Sequence, residues 1–339
     1  MTYFWKTVVH KQYVVAIRVV GFFFILLAVF LSHPVSSASA KQKEKKIQIG
    51  IAPWVNNEEY NKNITAFKKR LALVGFVEGQ NTIYYQENAQ GDPQKQIKII
   101  QSFVDKKVDL IYSLTTPGTL ITKSIAKDIP IVFSVVLFPV ETGIIKSFMS
   151  SENNCVGTRN YISEGKQLET LFTIFHQVRK MGFIHLKEDP DSTIQLGRMK
   201  DMGKNFDLEV IDMPVSSLNE LKNFSNETVD AFYLACDTFI QTEGEDSIID
   251  MAHNRKIPTL SCSRSGILKG ALVGDVVDLT NLGTVAGKKA AAILTGQSPT
   301  ELITETQQGS YVVVNLKTAA SLGLSVPDKL LAISSEIIQ

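Results

Sequence analysis

Several polar and aromatic side chains of this 339-residue sequence follow predicted strands, where a binding site can form. Trp54 follows the apolar segment Ile47–Ile51, and its ring can stack on a ligand or pack in a core. Thr115 and Thr116 stand between a strand and a helix, where they can hold a carboxylate or cap the helix. Ser134 is the one polar residue of the strand IVFSVV, and we expect a backbone partner for its buried hydroxyl.

A second group of candidates follows the predicted strands of the C-terminal half. Ser192 opens a helix and can cap it or bind an anion, and we favour capping. Asp237 follows the strand AFYLAC and can receive a ligand ammonium or cap the next helix. Ser263 and Arg264 follow the strand TLSC. Arg264 can make a two-pronged contact with a carboxylate or remain on the surface.

The sequence lacks the common catalytic and metal-binding motifs. It has no G-x-S-x-G elbow, no G-x-x-x-x-G-K-[ST] loop and no G-x-G-x-x-G after a strand. His176, His185 and His253 lack the paired spacing of a metal site, and His10 and His33 fall in the N-terminal segment. We therefore expect a binding protein without cofactor or metal rather than an enzyme.

The three cysteines are too few for a disulfide framework and have no C-x-x-C spacing. Cys236 and Cys262 each end a predicted strand. If those strands are neighbours, the two residues can form a disulfide in an oxidising compartment. We favour the alternative of two buried free thiols, because a sequence does not fix the Cβ geometry that a disulfide requires.

The first forty residues have the three parts of a secretory signal peptide. They contain basic residues up to Arg18 and no acid, then the apolar run Val19–Leu31, then Ala38-Ser39-Ala40. The apolar run has thirteen residues, whereas a membrane-spanning helix needs about 20. We predict cleavage after Ala40 and release into the periplasm, with an uncleaved membrane anchor as the alternative. The remaining chain has 32 basic and 34 acidic residues.

The rest of the chain alternates apolar, strand-like runs with segments of helical period. Continuous apolar strands separated by helices predict parallel sheets that helices cover on both faces. About ten strands are too many for one ordinary doubly wound sheet, so we expect two α/β lobes. A composition of 44% hydrophobic and 20% charged residues with net charge +1 fits globular domains and excludes a basic nucleic-acid binder.

A series of short motifs in this part of the chain resembles one known family. Gly75–Asn81 is similar to the family's turn after the first helix, and Thr115–Pro117 to its T-P turn after a strand. The most specific stretch runs from Asn315–Ala319 to Val326-Pro327. Other matching segments, in the family's order, are Asn88–Asp92, Val108–Ile111, Ile129–Phe133, Pro139-Val140, Lys166–Glu169, Val229–Ala231, Ile257-Pro258 and Gly270–Leu272. From about Ile47 to Ile338 the chain resembles substrate-binding proteins of ABC transporters with the type I periplasmic fold, in the subfamily linked to tryptophan and tyrosine uptake.

The resemblance implies an α/β fold of two Rossmann-like, doubly wound parallel-sheet lobes joined by a hinge that the chain crosses three times. We assign 46–156 plus 264–304 to one lobe and 157–263 plus 305–339 to the other, after a signal peptide at 1–40 and a tether at 41–45. The lobes would close on a small-molecule ligand. The closed form would dock on an ABC permease in the inner membrane, which a separate ATPase drives. We expect a monomer and no nucleic-acid partner.

The resemblance also bears on the ligand. The T-P turn favours a ligand role for Thr115 and Thr116, and Asp237 matches an acidic position of the family. The family commonly has an acid where Phe138 stands, and it tends to have acids where Ser263 and Arg264 stand. Because those acids would suit a ligand ammonium, we expect an aromatic amino acid or a small organic acid, with a preference for an anionic or aromatic molecule other than an amino acid. A sensor that presents its solute to a membrane receptor is the alternative, followed by an exported α/β enzyme.

Overall fold

The computed structural model describes residues 45–339 except Ser225 and Gln308. The predicted signal peptide, its cleavage after Ala40 and all but the last residue of the predicted tether lie outside the described residues. The described strands are β1 (Ile47–Pro53), β2 (Thr82–Gln86), β3 (Leu110–Leu114), β4 (Ile131–Val136), β5 (Cys155–Arg159), β6 (Lys180–Leu186), β7 (Glu209–Val215), β8 (Ala231–Leu234), β9 (Thr259–Ser261), β10 (Val273–Val276), β11 (Glu305–Thr306), β12 (Tyr311–Asn315) and β13 (Ser334–Ile338).

The helices of the same residues follow the strands in alternation over most of the chain. They are α1 (Glu58–Ala72), α2 (Pro93–Asp105), α3 (Thr116–Ile125), α4 (Glu164–Ile174), α5 (Pro190–Gly203), α6 (Glu245–Asn254), α7 (Arg264–Lys269), α8 (Leu279–Leu294), α9 (Leu316–Ser321) and α10 (Asp328–Ile333). A π-helical segment, Ile240–Gly244, leads into α6. None of the described helices combines the length and the apolar character needed to cross a membrane.

The strands form two sheets, and each sheet with its helices is called a lobe below. The first lobe contains the order β11-β5-β4-β3-β1-β2, in which every pair is parallel. The second contains β13-β12-β10-β9-β8-β6-β7, in which only the pair β10–β12 is antiparallel. The predicted α/β architecture of two doubly wound lobes is confirmed, and the antiparallel pair is a local departure from the parallel prediction.

Helices cover both faces of the first sheet, as its buried strands require. On one face, Tyr60 and Phe67 of α1 and Ala286 of α8 pack against Ile49 and Ile51 of β1. On the other face, residues of α2 pack against Ala52, Ile111 and Phe133. Helix α8 lies so close to α1 that a Cβ atom at Gly283 would come within 2.1 Å of the Asn63 carbonyl oxygen. A glycine is therefore needed at this crossing.

The second lobe is built on the same plan. Leu168 of α4 and Met199 of α5 pack on one face of its sheet. Ile248 of α6 and Ile267 of α7 pack on the other. In both lobes the helices follow the carboxyl ends of parallel strands, and ligands bind outside those ends in such sheets.

The chain passes between the two sheets three times, after β5, after β10 and after β11. The strand pairing differs from the predicted lobe boundaries at each passage. Strand β5 continues in the first sheet to Arg159, and β10 pairs within the second sheet although 264–304 was assigned to the other lobe. Glu305 and Thr306 pair with β5 of the first sheet. The passages therefore lie at the strand ends rather than at the predicted residues.

Candidate ligand-binding site

A cavity of about 310 Å³ lies between the two lobes, a volume typical of small-molecule sites. The first lobe contributes the start of α1 and the segment after β4, and the second contributes the ends of β8 and β9 together with parts of α4, α5 and α7. Its walls combine amide and apolar side chains: Asn57, Tyr60, Val135, Leu137, Asn160, Ile162, Gln167, Gln195, Gln241, Val276, Val277 and Leu279. The charged lining residues are Glu58, Glu59, Arg264 and Lys269.

Side chains of the two lobes contact each other around this cavity. The Tyr60 hydroxyl donates to Oε1 of Gln241 at 3.5 Å. Arg198 of α5 forms an ion pair with Glu141, and its guanidinium lies 4.7 Å from the centroid of the Phe138 ring. Because these contacts join residues of different lobes, the structure represents a closed arrangement.

A disulfide between Cys236 and Cys262 forms part of the cavity wall. The two Cα atoms are 5.9 Å apart, at the ends of the neighbouring strands β8 and β9. The favoured prediction of two free thiols is therefore wrong for this pair. The adjacency of the strands, which the sequence left open, brings the cysteines into range. Cys155 is free and buried in the first lobe.

Three carboxyl groups of the second lobe lie buried where the lobes meet, on Asp189, Asp191 and Asp237. None of them forms an ion pair with a described residue. Burial raises the pKa of Asp191 to about 8, and the neighbouring carboxyl of Asp189 adds to the rise. Burial likewise raises the pKa of Asp237 to about 6, again with a contribution from Asp189. The cations Arg198, Arg264 and Lys269 of this lobe pair with other carboxylates and leave these three without an ion-pair partner in the described part of the chain.

Asp237 connects three neighbouring segments of the second lobe through hydrogen bonds. Its carboxylate accepts the backbone N–H of Leu186 at 2.9 Å, the hydroxyl of Ser192 at 2.9 Å and the backbone N–H of Ile240 at 2.7 Å. The last bond caps the helical segment that follows, which was one of its two predicted roles. We had favoured Ser192 as the cap of α5, but it does not have this role. Asp189 does, and it accepts the backbone N–H of Ser192.

Thr116 of the first lobe contacts Asp191 of the second lobe, and Thr115 is buried next to it in the chain. The carboxyl of Asp191 interacts with the Thr116 hydroxyl and with the main chain of Phe138, and both interactions lower its pKa. Even so, Oδ1 of Asp191 and the hydroxyls of Thr115 and Thr116 have no partner at hydrogen-bond distance among the described residues. Thr115 precedes α3 with φ of 68° and makes no side-chain cap. These three buried polar atoms lack a protein partner in the part of the chain that the structure describes, although none of the three residues lines the cavity.

Two predicted candidates lie in the core of the first lobe and away from the cavity. Trp54 is 9% exposed and packs among Ala52, Ile99 and neighbouring apolar residues. The Ser134 hydroxyl is fully buried, and its partners are the side chains of Asn63 at 3.0 Å and Thr158 at 2.9 Å. The expected backbone partner is therefore wrong. Buried side-chain hydroxyls and amides from α1 and β5 meet Ser134 inside the lobe.

Phe138 is fully buried at the closed interface between the lobes. Its ring contacts Tyr161 edge-on, with centroids 5.8 Å apart, and the guanidinium of Arg159 lies 5.6 Å from its centroid. The residue thus belongs to a group of aromatic and arginine side chains that includes Arg198. It does not line the cavity.

Ser263 and Arg264 both line the cavity, and both have protein partners. The Ser263 hydroxyl accepts the backbone N–H of Gly266 at 2.9 Å, which caps α7, and donates to Glu245. Arg264 makes a two-pronged contact with Glu336, with Nε–Oε2 of 2.7 Å and Nη2–Oε1 of 2.6 Å. The predicted two-pronged geometry is present, but its carboxylate belongs to β13.

The sequence did not single out the cavity's amides or the buried Asp191. Gln195 and Gln241 line the cavity from the first turns of helical segments, and Tyr60 lines it from α1. Amide side chains carry no charge and fit equally well on an exposed helix face. The one signal that could have found them is their place one or two turns after a strand end.

Comparison with known proteins places this geometry in one class. Residues 48–338 match the family model described as ABC transporter substrate binding protein, and the chain belongs to this family. A tyrosine-binding protein of Clostridioides difficile is 30% identical over 296 residues, which cover 85% of this chain and 86% of the relative. The recognition made from the short motifs is confirmed, as is the class of function.

Two solved structures extend the comparison to the fold. A domain from Streptococcus pneumonia in complex with L-Trp superposes with a TM-score of 0.82 at 21% identity, covering 87% of this chain and 100% of the other. The ligand-free, open structure of a substrate binding protein with adhesive properties from Clostridium difficile gives 0.69 at 25% identity, covering 86% of this chain and 99% of the other. The fold is that of type I periplasmic binding proteins.

Proposed function

We propose that this chain captures a small molecule between its two lobes and delivers it to the permease of an ABC importer. The observation that carries the proposal is the cavity, to which both lobes contribute and which side-chain contacts between the lobes enclose. A signal peptide cleaved after Ala40, a periplasmic location, a monomeric state and the lack of enzymatic activity belong to the same proposal. They are supported by the sequence and by family membership.

The ligand that the site favours is an aromatic amino acid. The carboxyl of Asp191 and the hydroxyls of Thr115 and Thr116 are available to a ligand ammonium, since their polar atoms lack partners among the described residues, although these residues do not line the cavity itself. An anionic ligand without an amine would approach three buried carboxyl groups between the lobes. The cations of the cavity wall are already engaged, Arg264 by Glu336 and Lys269 by Glu245 and Asp246. The preference drawn from the sequence, for a ligand other than an amino acid, is therefore reversed. The tyrosine-binding relative adds support.

A pair of matched ligands tests this assignment. L-Tyrosine and 3-(4-hydroxyphenyl)propionate share ring and carboxylate and differ by the ammonium group. We expect L-tyrosine or L-tryptophan to raise the Tm of the exported protein, because a ligand that binds only the folded state stabilises it, and the amine-free acid to leave Tm unchanged.

The opposite result, stabilisation by the amine-free acid alone, would restore the organic-acid hypothesis. If no small molecule in a broad screen shifts Tm, and native mass spectrometry detects none in the purified protein, the uptake function is contradicted.

A further inference from the structure

The disulfide Cys236–Cys262 forms part of the wall of the candidate ligand site. Both residues line the cavity and both are only half-buried, so a small molecule in the cavity lies beside their sulfur atoms. A disulfide that served only to brace the lobe would have no need to face the ligand. Here the bond ties together the ends of β8 and β9, the edge from which the second lobe contributes to the cavity.

Two cavity amides take their positions from these cysteines. Nε2 of Gln195 donates to Sγ of Cys236 at 3.2 Å, and Oε1 of the same amide accepts the Cys236 backbone N–H at 3.1 Å. Nε2 of Gln241 donates to the Cys236 carbonyl at 3.2 Å and lies 3.6 Å from Sγ of Cys262. Oε1 of Gln241 accepts the Tyr60 hydroxyl of the first lobe. The cysteine pair therefore contacts two polar groups of the wall, one of which reaches the first lobe, and Nε2 of Gln195 also donates to the Tyr233 hydroxyl at 3.1 Å.

We propose that the Cys236–Cys262 disulfide is a positioning element of the ligand site, so that ligand affinity depends on its redox state. The proposal rests on the binding function proposed above. In the reduction step a dithiol reductant transfers two electrons and two protons: the S–S bond breaks, two cysteine thiols form and the reductant becomes a disulfide. The two sulfur atoms then separate to van der Waals contact, and each becomes a weak S–H donor facing the amides.

The effect must be reciprocal because the two equilibria are linked. If the oxidised form binds ligand more tightly by some factor, bound ligand opposes reduction by the same factor. The third cysteine supplies an internal control. Burial raises the pKa of the Cys155 thiol to about 12, so it stays unreactive at neutral pH.

Calorimetric titration of L-tyrosine and L-tryptophan into oxidised and dithiothreitol-reduced protein tests the proposal, with alkylation and mass measurement to count free thiols. We expect reduction to weaken binding by about tenfold, within the range usual for coupled sites. Cys236→Ser with Cys262→Ser should bind like the reduced form and ignore reductant, while Cys155→Ser should respond like the parent. Ligand should also protect the disulfide from dithiothreitol, a result that a purely structural brace would not produce.

Equal affinity of the oxidised form and a folded, fully reduced form would overturn the proposal. So would reduction at the same rate and to the same extent with and without ligand. If the double variant fails to fold, the reduced parent protein still decides, with its Tm as the check on folding. Failure of the oxidised protein to bind either these amino acids or any screened molecule is a different outcome. It would overturn the binding function and this inference together.

Discussion

The two lobes share a fold plan but meet each other with different chemistry. Where it meets Asp191, the first lobe offers the Thr116 hydroxyl and the main chain of Phe138, which are uncharged. Its charged groups lie elsewhere: Glu58 and Glu59 line the cavity, and Glu141 pairs with Arg198. The second offers the carboxyls of Asp189 and Asp191 and a disulfide-braced edge. For the ammonium ligand proposed above, the carboxyl contact comes from the second lobe and the hydroxyl contact from the first. Closure then brings the two halves of the site together, which makes affinity sensitive to both lobes.

The largest effect is expected from the second lobe. Asp237→Ala removes the acceptor of two backbone N–H groups and one hydroxyl and leaves these buried donors without partners. We expect the free energy of unfolding to fall by about 3 kcal/mol or more. Urea unfolding measures it. Ser134→Ala is the matched change in the first lobe, and since it removes a hydroxyl with only two side-chain partners, about 1–2 kcal/mol is expected. Equal losses would contradict the contrast between the lobes.

An intermediate effect on the free energy of unfolding is expected from the titration of Asp191. Its pKa of about 8 in the closed fold lies above its ordinary value, so the folded protein binds a proton that the unfolded chain has released. The free energy of unfolding should therefore decline as pH rises from about 4 to about 8. Asp191→Asn removes this titration and should be more stable than the parent at pH 8 by on the order of 2 kcal/mol.

The comparison of parent and variant isolates Asp191 from the other titrating groups. Asp189 and Asp237 face it within the second lobe, and both have raised pKa values of their own. Urea unfolding of both proteins at pH 5 and pH 8 gives the difference directly. If the stability difference does not change between the two pH values, Asp191 is not protonated in the fold.

The smallest effect is expected from substitutions in the two arginine ion pairs, which should change ligand affinity to different extents. Arg198 reaches Glu141 in the other lobe, whereas Arg264 pairs with Glu336 inside its own lobe. Arg198→Ala should weaken ligand binding by up to about fivefold, because partly exposed ion pairs contribute about 1 kcal/mol or less and this one forms between the lobes. Arg264→Ala should change affinity by less. Titration calorimetry with L-tyrosine compares them, and a larger loss for Arg264→Ala would assign it a direct ligand contact.

The sequence predicted the architecture better than its details. Apolar runs such as IVFSVV allow only a strand buried on both faces, and β4 has these bounds. The local pattern does not mark strand β5, because CVGTR is short and contains a glycine, and the strand forms by pairing with β4 and β11. The SSEII segment has no strong strand pattern. It forms strand β13 because it can pair with the edge strand β12. Such strands are set by tertiary neighbours that local patterns do not record.

The sequence predicted several residues of the site but not the side chains that they contact. Strand ends gave Ser263 and Arg264, which line the cavity, and Asp237, which is buried beside it. That Glu336 takes the guanidinium of Arg264 depends on β13, a distant strand. The Cys236–Cys262 bond likewise depends on β8 lying next to β9. Pairings between residues far apart in the chain follow from topology, which a single sequence does not fix.

The three passages of the chain between the sheets have a consequence for the order of assembly. The first sheet receives its edge strand β11 only after the whole second sheet up to β10 has been synthesised. The second sheet is completed only when β12 and β13, which follow β11 in the chain, have been synthesised. Neither lobe is therefore complete until nearly all of the polypeptide is available. Contacts between distant residues slow folding, so a nascent or truncated chain should remain exposed to proteases until its last strands are in place.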